Sequence, residues 1–123
     1  MITMTQEDKK LLLKDLSARL LYGVKGIITY DKSNTTFTVE GIDNNVLHLS
    51  DAEDCYVEDF KPYLRPMSSM TEEEKAEFLS LPMKEYSMNS FDWLNAHHFD
   101  YRGLIEKGLA IEAPEGMYNL KEQ

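Results

Sequence analysis

The sequence predicts an α+β fold: an N-terminal helix, a small antiparallel β-meander, then two helices and a short C-terminal hairpin. Three observations carry this expectation. Leucines recur at helical spacing near the N-terminus, the apolar period drops to two between residues 24 and 50, and capped helical segments return after residue 70. A chain of 123 residues fits a single compact domain. A domain of this size buries roughly two-thirds of its unfolded surface, so it needs neither disulfides nor a structural metal.

Thr5 is the expected N-cap of the first helix, with Asp8 at the third helical position as a variant of the capping box. Leu12, Leu13, Leu16 and Leu20 form its apolar stripe, and Lys9, Lys10, Lys14 and Asp15 stand off that stripe. The helix is expected over Gln6 to Leu20, with Gly23 at its end or in the following turn. The segments "VKGIITY" and "TTFTVEG" are rich in β-branched and aromatic residues, and "DKSN" between them is turn chemistry. Phe37 and Val39 share one face, as do Leu47 and Leu49 of "VLHLS", which follows the Asp43–Asn45 turn. "CYVEDF" is a candidate fourth strand. The β-rich part therefore covers about 22–61, with an SH3-like, partly closed barrel as the expected topology.

Pro62 and Pro66 make 62–70 an extended connector, neither helix nor central strand. Residues 71–123 form the helical part with the terminal hairpin. Thr71 and Glu74 make a capping box, Glu72 and Glu73 sit in the positive first turn, Phe78 and Leu79 supply the apolar contact, and Pro82 stops the helix. Asn89 or Ser90 caps a second helix through "FDWLNAHHFDY". Gly103 interrupts it, and "LIEKG" is a short helical turn closed by Gly108. "LAIEA" and "MYNLK" flank "PEG" as the hairpin.

The formal net charge is −9, unevenly spread: residues 1–31 carry +1, residues 32–82 carry −7 and residues 84–123 carry −3. A negative surface repels phosphate, so generic binding to nucleic acid or anionic membrane is disfavoured. Cys55 is the single cysteine, so it has no intramolecular disulfide or thiolate zinc partner. Its acidic surroundings should raise its pKa. These features suit a reducing cytoplasm. The opening "MITMTQEDKK" places charge before any apolar run, unlike a secretory signal, and no apolar stretch approaches the length of a membrane span.

Chemistry-bearing residues concentrate in "FDWLNAHHFDYRGLIEKGLA". On a helix Phe91, Leu94, His98 and Tyr101 form one stripe, with Trp93 and His97 on its flank. Adjacent histidines point about 100° apart, so His97 and His98 do not converge on one metal ion. His98 or His97 with Asp100 is the best acid–base pair, and His97 and Asp100 stand three apart on a helix. No nucleophile supports them, and no phosphate loop, dinucleotide fingerprint or nucleophile elbow occurs, so neither catalytic residues nor a cofactor are expected. Trp93, His97, His98, Asp100, Tyr101 and Arg102 are the candidate interaction residues. Tyr22, Tyr63 and Arg65 could extend the patch, since aromatics and arginine dominate binding hot spots. The C-terminal helix and hairpin resemble the end of a winged helix–turn–helix, but Glu112 and Glu115 stand where a DNA-binding wing carries basic residues.

At "KPYLRPMSSMTEEEKAEF", "NAHHFDYRGLIEKGLAIEAPEGMYN" and "DLSARLLYGVKG" the chain resembles a family of small uncharacterised proteins encoded by phages, prophages and mobile elements of gut Bacteroidales. Members commonly carry Pro where Leu21 stands, and the likeness covers most of the chain outside the acidic stretch from Asp43 to Glu58. The resemblance implies a bacterial cytoplasmic setting and a phage context, and supplies no catalytic residues. The resulting expectation is a small non-catalytic protein-binding or regulatory accessory protein with a protein partner and no membrane. The alternatives are a small hydrolase or metal-assisted enzyme using His97, His98 and Asp100, and a nucleic-acid module using the C-terminal helix and hairpin.

Overall fold

The computed structural model describes residues 4–33, 35–50, 52–81 and 89–118. Helix α1 spans Gln6–Arg19 and begins where the sequence places it, the Thr5 hydroxyl accepting the Asp8 amide at 3.0 Å. It passes into a 3₁₀ turn over Leu20–Tyr22, closed by Gly23 at φ 67°, a conformation that favours glycine. Its buried face is Leu12, Asp15, Leu16 and Arg19. These stand at i, i+3, i+4 and i+7, one helical stripe. Asp15 therefore sits inside the stripe rather than off it, because it faces Arg19 one turn on.

Strands β1 (Lys25–Ile28), β2 (Phe37–Asp43), β3 (Val46–Leu49) and β4 (Cys55–Tyr56) pair consecutively and antiparallel. Val39, Leu47 and Leu49 point into the core, as the alternation requires. Asp43 pairs with Val46, which leaves Asn44–Asn45 as a two-residue turn with Asn44 at φ 57°. A 3₁₀ turn over Val57–Asp59 leads into β5 (Phe60–Leu64), which lies against β1, and β6 (Ile111–Glu112) adds beyond it. The mostly antiparallel sheet has the order β4-β3-β2-β1-β5-β6.

Two expectations are corrected here. Pro62 lies within an interior strand instead of a connector. Thr29 donates its amide to the Asp59 carbonyl, which sets the alternation of the β1–β5 ladder and makes Gly26–Pro62 a pair without mutual hydrogen bonds. The missing N–H of Pro62 thus faces away from β1, and β6 begins only opposite Tyr63. Gly26 is required by the same packing: a Cβ there would stand 2.5 Å from the Phe60 ring and 2.4 Å from the Lys61 carbonyl oxygen. The second correction is the C-terminal hairpin. Ile111–Glu112 pairs in parallel with β5, and Glu115–Tyr118 is turn. The remainder of its expected return strand, from residue 119, falls outside the described residues.

Helix α2 (Glu72–Leu79) carries the full capping box: the Thr71 hydroxyl accepts the Glu74 amide and the Glu74 carboxylate accepts the Thr71 amide, both at 3.0 Å. Phe78 packs against Trp93, but Leu79 is exposed, so only the former makes the expected contact. The stop assigned to Pro82 falls outside the described residues. Helix α3 spans Asn89–Ala96, so Asn89 and Ser90 stand in its first turn instead of before it.

One apolar cluster fills the space between α1 and the sheet, and a second gathers Trp93, Leu94 and Phe99 with Phe78 and Tyr101. Among the described residues, no helix is long and apolar enough to cross a membrane.

Candidate functional site

The candidate site is built where α3 breaks. The His98 amide bonds the Asn95 carbonyl at 3.0 Å and the Phe99 amide bonds the Leu94 carbonyl at 2.9 Å. This is the Schellman pattern, with His98 at the left-handed position, φ 63°. Glycine usually fills that position, and a side chain there costs about 1–2 kcal/mol. Leu94 and Phe99 make the apolar contact that accompanies the motif. The chain then runs alongside the end of β5: the Arg65 amide bonds the His98 carbonyl and the Asp100 amide bonds the Arg65 carbonyl, each at 2.8 Å. The expected helix through Tyr101 therefore ends at Ala96, and the stripe of Phe91, Leu94, His98 and Tyr101 does not form.

This break sends the candidate residues to different places. His98 is buried, its ring stacked on Tyr118 at 3.7 Å between centroids. Burial, then the nearby Arg19 charge, push its pKa down to about 3, so it is neutral across the physiological range. Its Nδ1 has no hydrogen-bond partner. Asp100 caps the following turn, its two carboxylate oxygens accepting the amides of Leu104 and Ile105 at 2.8 and 2.9 Å. Tyr101 donates to the Asn95 side-chain oxygen at 2.9 Å and lies beneath the Arg102 guanidinium. Arg102 in turn donates to Asp15 at 2.7 Å. The predicted turn through "LIEKG" is present, with Gly108 at φ 76° accommodating its end.

The Asp15–Arg19 pair behind this segment was not visible as a site in the sequence. Both side chains are fully buried, and Arg19 grips Asp15 with Nε and Nη2 at 2.8 and 3.1 Å. Nη2 also donates to the Phe99 carbonyl. Nη1 has no partner. The signal available was spacing: an acid and an arginine at i and i+4 on the same stripe as two leucines.

His97 and Trp93 stay together, rings stacked at 4.0 Å. His97 lines a cleft of about 1050 Å³, and Trp93 stands behind it. Its walls come from five places: the Leu21–Tyr22 turn after α1, Arg65 and Pro66 after β5, the face of α2 bearing Glu73, Glu74 and Glu77, the Ala96–His97 end of α3, and the segment from Glu112 to Tyr118. Arg65 binds Glu74 through two hydrogen bonds of 2.7 Å and lies over the Phe99 ring at 4.2 Å. The Arg65 contact holds the Glu74 carboxyl down at about 2. Glu77 accepts the Trp93 indole N–H at 2.9 Å. His97 faces Glu74 at 3.5 Å without a hydrogen bond, and burial lowers its pKa against the opposing pull of the Glu74 charge. The mouth exposes Leu21 almost completely, at 91%.

His48, the third histidine, pairs with Asp54 on the sheet instead, at 2.9 Å. Among the described residues, no three His, Cys, Asp or Glu side chains converge in a way that could hold a metal ion. Cys55 is buried, and burial followed by Asp59 and Asp54 pushes its thiol up to about 11, in the direction its acidic setting predicts. The chain matches no protein-family model, no curated protein and no solved structure.

Proposed function

We propose that the chain is a small, non-catalytic accessory protein that binds a protein partner through the cleft beside His97. The carrying observation is a ligand-sized concavity whose mouth presents Leu21 and Tyr22 to solvent, while its reactive groups are engaged with one another. Arg65 and Glu74 neutralise each other, Glu77 orients Trp93, and His97 is stacked and held toward its neutral form. Such a surface offers shape and an apolar edge instead of an activated nucleophile. The single cysteine, buried and without a disulfide partner, supports a reducing cytoplasmic setting. The sequence likeness described above supports a phage or prophage origin.

The hydrolase reading has less support, because His98 and Asp100 serve the fold and neither reaches His97 as a relay. The nucleic-acid reading has less still, since Glu112 and Glu115 border the cleft where phosphate would have to approach.

The test places a photo-crosslinking side chain at Leu21 and, in a second sample, at Tyr30, which is exposed but outside the cleft. A stoichiometric adduct from position 21 alone is expected in cells that encode the protein. The same adducts from both positions, or none from position 21, would overturn the reading.

A further inference from the structure

We propose that the cleft takes a basic peptide segment, with Lys or Arg side chains against Glu77, Glu112 and Glu115 and an apolar side chain against Leu21 and Tyr22. This rests on the protein-binding reading above and names the chemistry of the partner.

Charge bookkeeping inside the cleft carries the inference. Arg65 is the one cation among the described lining residues, and Glu74 cancels it through two hydrogen bonds. His97 is held toward neutrality by burial. Glu77 is oriented by an indole N–H, which leaves its negative charge uncompensated. Glu112 and Glu115 are exposed and have no cationic partner among the described residues. At least three carboxylates therefore project negative potential into one concavity with low-dielectric walls, which focuses the field and draws in cations. These carboxylates do not converge as a ligand set for a metal ion. Spread charges of this kind match a ligand whose positive groups are themselves spread along a chain. A volume of about 1050 Å³ suits several residues rather than one small cation. The exposed Leu21, beside Tyr22, gives such a chain an apolar contact at the mouth.

The experiment uses the full chain against a display library of random twelve-residue peptides, with acidic, neutral and basic members equally represented. Enrichment of Lys- and Arg-containing peptides with an apolar neighbour is expected. The best of these, made synthetically, should lose at least tenfold in affinity to the Glu112→Lys/Glu115→Lys double variant. The affinity should stay within twofold for Glu106→Lys, an exposed acid outside the cleft. Thermal melts of each variant establish that these surface changes leave the fold intact, and Glu112→Gln/Glu115→Gln gives a gentler version expected to lose about half that effect on a logarithmic scale.

Basic peptides that bind both charge-reversal variants equally would overturn the proposal, since attraction to the acidic surface in general would then explain them. Enrichment of neutral or acidic peptides that lose binding in Tyr22→Ala would overturn the basic ligand while leaving cleft binding in place. Enrichment of nothing, or a concentration-dependent dimer abolished by Leu21→Ser, would overturn both the basic-peptide ligand and the partner reading beneath it.

Discussion

The molecule contains the same chemical pair twice, in two settings. Asp15–Arg19 and Glu74–Arg65 are both two-pronged carboxylate–guanidinium pairs, and in both the arginine lies over an aromatic ring of the 99–101 segment. The first pair has 0% side-chain exposure on either partner, whereas the second keeps 18% and 13%. The buried pair also serves Arg102 and the Phe99 carbonyl, so it fixes where the chain goes after α3 breaks. The cleft pair silences its own charges at a surface that water still reaches. Burial thus decides whether an ion pair is an anchor or a local adjustment of potential.

Asp15→Ala is the strongest way to break this contrast. It leaves Arg19 and Arg102 without their carboxylate, with Arg19 already carrying one orphaned nitrogen. Removing one partner of a buried pair costs about 3–5 kcal/mol, a large share of a small domain's stability. Chemical denaturation should show this as a large fall in midpoint. Glu74→Gln, at the cleft, should cost about 1–2 kcal/mol by loss of a charge-assisted bidentate contact. Equal costs for the two would show that burial is not what separates them.

Acid provides the next test, with a higher pH window for the buried region than for the cleft, overlapping below 4.5. His98 is neutral when folded and titrates near 6.5 when unfolded, so above that pH it contributes no difference. Between 6.5 and about 3 the unfolded chain binds a proton that the folded chain refuses, and stability falls as pH falls. Glu74 works in the lower window: its stabilisation is present above 4.5 and is lost as pH drops toward about 2. Together they predict a loss of a few kcal/mol on acidification, of which the His98 part is the larger. His98→Asn, which keeps a residue tolerant of left-handed backbone, should flatten the stability curve between 6.5 and 4.5 and reduce its slope from there to about 3, leaving the Glu74 part. An unchanged slope in that variant would contradict the assignment to His98.

A smaller and more local effect concerns His97. The Glu74 charge raises the His97 pKa against burial, the larger opposing influence. Glu74→Gln should therefore move the His97 titration to lower pH, read from its ring proton shifts by NMR. A move to higher pH would mean that the ring does not face Glu74 in solution.

The two helix ends after residue 90 show what a sequence can and cannot disclose. Gly108 and His98 occupy the same left-handed position of the same capping motif. At Gly108 the residue type announces the turn, and the expected stop after "LIEKG" is present. At His98 the conformation is imposed from outside, by the bonds that tie residues 98–100 to Arg65. Local propensity carries no trace of a partner 33 positions away, so the spacing alone predicts a helix through Tyr101 with His98 on a stripe that does not exist. The hairpin strands and the Thr5 and Thr71 caps were legible because their determinants are local. Pro62 misled for the converse reason: whether its missing N–H matters depends on which neighbour it faces, and only the sheet register decides that. Of the candidate interaction residues, His97 and, through Glu77, Trp93 belong to the cleft. The place of Leu21 at the cleft mouth is not legible in the sequence, because a lone exposed leucine has no periodic signature.

Leu21 gives the smallest predicted effect on the fold and the sharpest contrast with the buried region. Leucines of α1 divide by position: Leu12 and Leu16 are fully buried, while Leu21, just past the helix, is almost bare. Leu12→Ala should cost about 2–5 kcal/mol by loss of packing and creation of a cavity. Leu21→Ser removes a side chain that water already surrounds, so its effect on stability should stay within about 0.5 kcal/mol. Parallel thermal melts of the two variants test this directly. A melting loss for Leu21→Ser as large as for Leu12→Ala would place Leu21 in the folded core and remove it from the mouth of the cleft. A melt unchanged from the parent protein, combined with weaker binding of the enriched peptide, would separate binding from folding at one residue.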